Sequence, residues 1–186
     1  MMLIRTALLN DMGSYSRIKD HCSKKLFDQF KMTRHPEGGA FVENYRSDLE
    51  ISAPGFTGPR RASTGIYFLL GSGEFSAFHR IRSDEMWHFY LGGPLRVVEI
   101  DRAGRLHETT LGRELQEGEV LTCVVKAGHW FASYPAPGSD FSLVGCTVAP
   151  GFDFQDFELA DPPDLARRFP EHAAIIAKLT RGEPAR

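Results

Sequence analysis

Cysteine is scarce in this chain: Cys22, Cys123 and Cys146 are the whole supply, with no C-x-x-C spacing among them. That excludes a disulfide framework and a zinc ribbon. Free thiols suit a reducing compartment, so a cytoplasmic protein is expected. An excess of either charge is missing too, since 22 Lys and Arg face 24 Asp and Glu for a formal net charge of −2. Nothing in that balance points to nucleic acid or an anionic membrane surface. No stretch approaches the ~20 apolar residues of a spanning helix. The opening MMLIRTALLNDMGSY is interrupted by Asn10 and Asp11 and makes a poor secretory signal. A small molecule, or another protein chain, is the partner left.

What is present is ordinary material for one domain. With 186 residues, 42% of them hydrophobic, the chain can bury a core without staples. Residues 1–13 read as a leader outside the fold. Within residues 14–34, Ile18, Leu26, Phe27 and Phe30 lie on a helical stripe and predict a short helix. The string His35-Pro36-Glu37-Gly38-Gly39 must turn. From Phe41 the period becomes two. Strands are expected at 41–46, 63–70, 74–81, 85–91, 95–100, 106–111, 120–125, 130–134, 141–148 and 152–158. Asp101-Arg102-Ala103-Gly104 forms a hairpin turn, and residues 50–61, with two Pro and two Gly, form a loop. The tail, 159–186, reads as two short helices broken at Pro170, with Asp164 as cap. So many short strands at even spacing mean a sandwich or closed barrel. The barrel proper is placed at 35–158.

One spacing goes further. Gly73 is followed after five residues by His79, then Ile81, then after three by Glu85 and after six by Gly92. This resembles the first motif of the cupin superfamily, Gly, five residues, His-x-His, three or four residues, Glu, six residues, Gly, with Ile81 in place of the second His. The second cupin motif is matched in part by Gly118, Gly128 and Trp130-Phe131. Lys126 stands at its Pro, Phe131 at its His, and His129 lies two residues before. Within the superfamily the chain is similar to the small single-domain cupins of uncharacterised function, cupin family five. The matching strings are His35–Gly39, Ser83–Tyr90 and Ala149–Phe154. The resemblance implies an all-β double-stranded β-helix, or jelly roll, with short flanking helices. It also implies a pocket inside the barrel around His79 and Glu85, and a homodimer.

Three readings of that pocket follow. The first is metal-free acid/base chemistry of the isomerase or epimerase type. His79 moves the proton, Glu85 holds its tautomer, and Tyr90, Tyr67 or Tyr134 donates. Gly39–Tyr45 resembles a strand of the sugar-nucleotide 3,5-epimerases, which makes Glu43 and Arg46 candidates for ligand binding. Glu37, Trp87 and His88 join them. Trp87 reads more simply as core, and Arg60 and Arg61 read as solvated. The second is a single divalent metal, iron, zinc or manganese, on His79, Glu85 and His129. The third is a barrel that only binds a small polar or sugar-like molecule.

Overall fold

The computed structural model describes residues 22–181. The expected leader at 1–13 lies outside the described residues, as do the first part of the expected helix and residues 182–186. The chain is mostly β, in two antiparallel sheets facing each other. One sheet has six strands in the order β1 (Thr33–Arg34), β2 (Ala40–Arg46), β5 (Thr64–Gly71), β12 (Phe141–Ala149), β7 (Asp84–Gly92) and β10 (Thr122–Val125). The other runs β13 (Glu158–Leu159), β6 (Ser76–Arg80), β11 (Trp130–Pro135), β8 (Leu95–Ile100) and β9 (Leu106–Leu111). A small ribbon of β3 (Glu50–Ile51) with β4 (Arg60–Arg61) pairs inside the expected 50–61 loop.

The period-two pattern sets the layers. Phe68, Leu70, Trp87, Leu95, Val97, Phe131 and Val144 point between the sheets and form the main core. The alternate residues point outward, where a helix must cover them. Leu26, Phe27 and Phe30 of α1 (helical over 22–30) pack on Tyr67, Leu69 and Leu143 of the six-stranded sheet. Leu165 of α2 (Pro162–Arg168) and Ile176 of α3 (Ala173–Lys178) pack on Phe78, Val98 and Ala132 of the other. Among the described residues no helix is long and apolar enough to cross a membrane.

Two expectations need correction. Residues 152–158 are not one strand. They form a strap with a 3₁₀ turn at Phe154–Asp156 and only the two-residue β13 at its end. The strap crosses the barrel end, where Phe152 and Phe157 both turn into the core, so the alternation breaks. The cap of α2 is Asp161, which accepts from the Asp164 amide. Pro162 and Pro163 occupy the first helical turn, where their missing N–H groups cost nothing.

Candidate active site

The site begins at the turn between α1 and β2. Gly38 and Gly39 have φ of 115° and 68°, and a Cβ on Gly38 would lie 2.2 Å from the Phe75 carbonyl oxygen. Only glycine fits, and the tight turn drives Glu37 inward, where it is 6% exposed. The Ala77 amide donates to the Glu37 carbonyl at 2.8 Å, fixing the turn to β6. The Glu37 carboxylate then meets three side chains. Ser76 Oγ donates to Oε1 at 2.9 Å, and Oε2 lies 3.2 Å from both His35 Nδ1 and His79 Nε2. Ser76 and His79 are an odd number of residues apart on β6. A register shift against β11 lets both face inward, with Ser76 opposite Ser133 and His79 opposite Phe131.

Proton bookkeeping constrains this cluster. His79 Nδ1 lies 2.8 Å from the Ala77 carbonyl oxygen, which only accepts, so Nδ1 carries a proton. Nε2 beside a carboxylate oxygen then requires a second proton, on the ring or on Glu37. The pair holds one exchangeable proton between two buried groups. Burial alone would raise the Glu37 carboxyl, but the charge of His79 and hydrogen bonds from His35 and Ser76 outweigh it and hold it below the usual range. Burial pushes the His79 imidazole down, and Glu37 only partly restores it.

Glu85 behaves oppositely. It enters the same cavity from β7, is 7% exposed, and among the described residues has only the Cys146 thiol as a side-chain hydrogen-bond partner. Burial, with the negative charge of Glu37 added, raises its carboxyl to about 8. At neutral pH it is mostly the protonated acid. Its burial pushes the Cys146 thiol up as well, so that sulfur is unreactive.

These groups line a cavity of about 230 Å³. That is below the ~300–1,000 Å³ of pockets for drug-sized molecules, so a small ligand fits. Its walls are apolar: Phe41, Ile66, Phe68, Ile81, Val148 and Phe152. Rings surround His35. Phe154 stacks on it at 5.8 Å, and Phe41 and Phe157 meet it edge-on at 4.8 and 5.7 Å. At the rim Arg46 pairs with Glu43 through two bonds of 2.8 and 2.6 Å, beside Asp153.

Of the residues singled out from the sequence, His79, Glu85, Glu37, Glu43 and Arg46 share this cavity. The others go elsewhere. Tyr90 is 45% exposed on the outer face, its hydroxyl over Gly145, stacked parallel to His88. His88 faces outward with it and meets Thr147 Oγ1 at 3.1 Å. Both differ from Glu85 by an odd step along β7, which turns them away from the barrel. Trp87 is fully buried against Phe68 and Phe131 and belongs to the core. Tyr67 and Tyr134 lie on outer faces, and among the described residues no tyrosine lines the cavity. Arg60 is not solvated: it is 4% exposed and forks onto Asp156 at 2.6 and 3.0 Å. Sequence reasoning missed His35, Ser76 and the strap aromatics Phe152 and Phe154. The His-Pro-Glu-Gly-Gly string holds the only signal that could have found His35. The two carboxylates also exchange parts, since Glu37, not Glu85, contacts His79.

A divalent metal of the kind cupin barrels hold would need His79, Glu85 and His129 on one ion. Both nitrogens of His79 are engaged, and Phe131 packs on its ring at 4.0 Å. His129 lies outside the cavity and its Nδ1 bonds Glu99. Among the described residues no group of three His, Cys, Asp or Glu side chains is placed to hold a metal ion. The set as folded does not fit such an ion.

Two facing antiparallel sheets with an apolar-walled cavity holding a few titratable groups define a cupin-type jelly roll. Residues 24–160 match the family described as Cupin superfamily (DUF985), and the chain belongs to that family. It is similar to the uncharacterized protein YML079W of Saccharomyces cerevisiae, 30% identical over 171 residues, covering 84% of this chain and 85% of that one. Among solved structures it resembles protein SO0799 from Shewanella oneidensis, with a TM-score of 0.78 and 39% identity over 86% of this chain and 97% of the other. A hypothetical protein from Leishmania major superimposes with a TM-score of 0.78 at 31% identity, over 84% and 97% of the two chains.

Proposed function

We propose that the cavity binds a small polar, sugar-like molecule and moves protons on it without a metal, as an isomerase or epimerase does. The observation that carries this reading is the pairing of unlike groups in one small space. Glu85 is a neutral acid near its midpoint at physiological pH, and it faces a buried His79–Glu37 pair holding one exchangeable proton. Such a set can remove a proton beside a carbonyl and return one from another direction. Apolar and aromatic walls keep water out and present faces to a ligand's C–H groups, while Glu43, Arg46 and Asp153 meet hydroxyls at the rim. His79 is the proton-transfer residue, Glu37 its partner and Glu85 the donor. The reading keeps the expectations of a homodimer and a cytoplasmic location.

The test is carbon-bound hydrogen exchange. Small aldoses, ketoses and 2-oxo acids are incubated with protein in deuterium oxide and followed by proton NMR. Deuterium is expected next to the carbonyl of at least one compound, with the rate falling ~10²–10⁴-fold in Glu85→Gln and in His79→Ala. Saturable binding with no exchange in the wild type would reduce the protein to a binding module and sink the catalytic reading.

A further inference from the structure

On the far side of the strap lies a second concavity. Phe152, Asp153 and Phe154 face the acid/base cavity; Gln155, Asp156, Phe157 and Glu158 face a groove of about 550 Å³. Ile81 forms part of both walls, so the two spaces adjoin across one side chain. Three arginines from different segments reach the groove: Arg80 from β6, Arg82 from the loop after it, and Arg102 from the hairpin between β8 and β9.

Their charges are not equally spent. Arg80 forks onto Glu158 at 2.8 and 2.7 Å and lies over the Trp130 ring, so its charge is matched. Asp156 is already matched by the buried fork of Arg60, so the 3.5 Å contact from Arg82 Nε adds a second cation to one carboxylate. Arg102 has no carboxylate within salt-bridge distance among the described residues. Two positive charges therefore remain over, in a protein whose net charge is −2.

Both surplus guanidiniums are also held in place. Arg82 Nη1 donates to the Gly55 carbonyl at 2.9 Å, and Arg102 Nη2 donates to the Ala127 carbonyl at 2.9 Å, its head lying over Gly128. A carbonyl anchors the head without neutralising it. Each guanidinium has five N–H donors, so most of each fork stays available. Anchored, un-neutralised forks lining one groove form a receptor for a multiply charged oxyanion.

We propose that this groove is an anion subsite for a phosphoryl group of the diphosphate kind, read by Arg82 and Arg102. It lies beyond the proton-transfer cavity and does not depend on it.

The probe is inorganic pyrophosphate, titrated calorimetrically into the full chain at neutral pH and low ionic strength. Saturable one-to-one binding is expected, weakened about tenfold by Arg82→Gln and again by Arg102→Gln. Both side chains are exposed, and melting curves check that the variants stay folded. His79→Ala should bind pyrophosphate as the wild type does, which separates this subsite from the fate of the acid/base reading. The subsite is overturned by absence of saturable binding, by affinity that survives loss of both arginines, or by loss of affinity in His79→Ala.

Discussion

Glu37 and Glu85 are both buried carboxyls lining one cavity, yet they are driven in opposite directions. Glu37 has a serine and two histidines around it; Glu85 has a thiol and a neighbouring negative charge. This has a measurable consequence for stability. A carboxyl near 4.5 in the unfolded chain and about 8 in the folded one keeps, between those values, a proton that the unfolded chain has released. Its contribution is full below about pH 4.5 and is lost as pH rises through about 8, at up to ~1.4 kcal/mol per pH unit. His79, held low, acts in the reverse sense around its ordinary range, so the wild-type curve mixes the two. The difference between wild type and Glu85→Gln isolates the first effect. Melting temperatures from pH 5 to 9 should fall more steeply in the wild type, and parallel curves would show that Glu85 ionises normally. At this scale the sequence was legible where one spacing tied two residues together, as with His79 and Glu85. Tyr90 shows the limit: a polar side chain in the right string faces outward because strand parity decides, and the same parity applied to it from Glu85 gives that answer. Ser76 was beyond reach, because a register shift between two strands leaves no mark in either strand's own sequence.

Among the elements, the strap departs most from what periodicity suggested, and its position is secured by side chains. Arg60 forks onto Asp156 out of solvent, Thr64 Oγ1 accepts from the Phe152 amide at 2.9 Å, and Ser83 Oγ donates to the Pro150 carbonyl at 2.6 Å. Asp156→Asn would leave the Arg60 charge buried without its partner. Amide hydrogen exchange should then quicken at residues 152–157 while β5 and β12 keep their protection. Equal quickening everywhere would mean the pair holds the whole barrel rather than the strap. The regular strands were readable to within a residue or two, β8 and β9 at both ends, because alternating burial writes itself into composition. A strap has no period, so its aromatics looked like one more strand.

For the molecule as a whole, the cavity wall has a part that belongs to the core and a part that does not. Phe68 is 1% exposed and touches the Trp87 ring edge-on, whereas Phe154 is 54% exposed and stacks on His35. Phe68→Ala should cost ~3–5 kcal/mol in urea unfolding. Phe154→Ala should stay within ~0.5 kcal/mol of wild type. A large loss for Phe154→Ala would make the strap part of the barrel's foundation. Fold class and layer order were legible because two-sheet packing depends on pattern; the cavity's chemistry was not, because it depends on which segments meet at the barrel end.

The turn at residues 35–39 adds no rung to the ladders of either sheet, yet it supplies His35 and Glu37, two of the titratable groups that line the cavity. Part of the cavity's chemistry is thus written outside the strands that build the barrel, while His79 and Glu85 are written within them. Drift at Gly38 and Gly39 is policed by folding, as in the strands, whereas drift at His35 and Glu37 is policed by what the cavity does. The His-Pro-Glu-Gly-Gly string is therefore a removable cartridge: exchanging it between barrels of this family would carry the histidine and carboxylate chemistry across while leaving the host's strand order untouched.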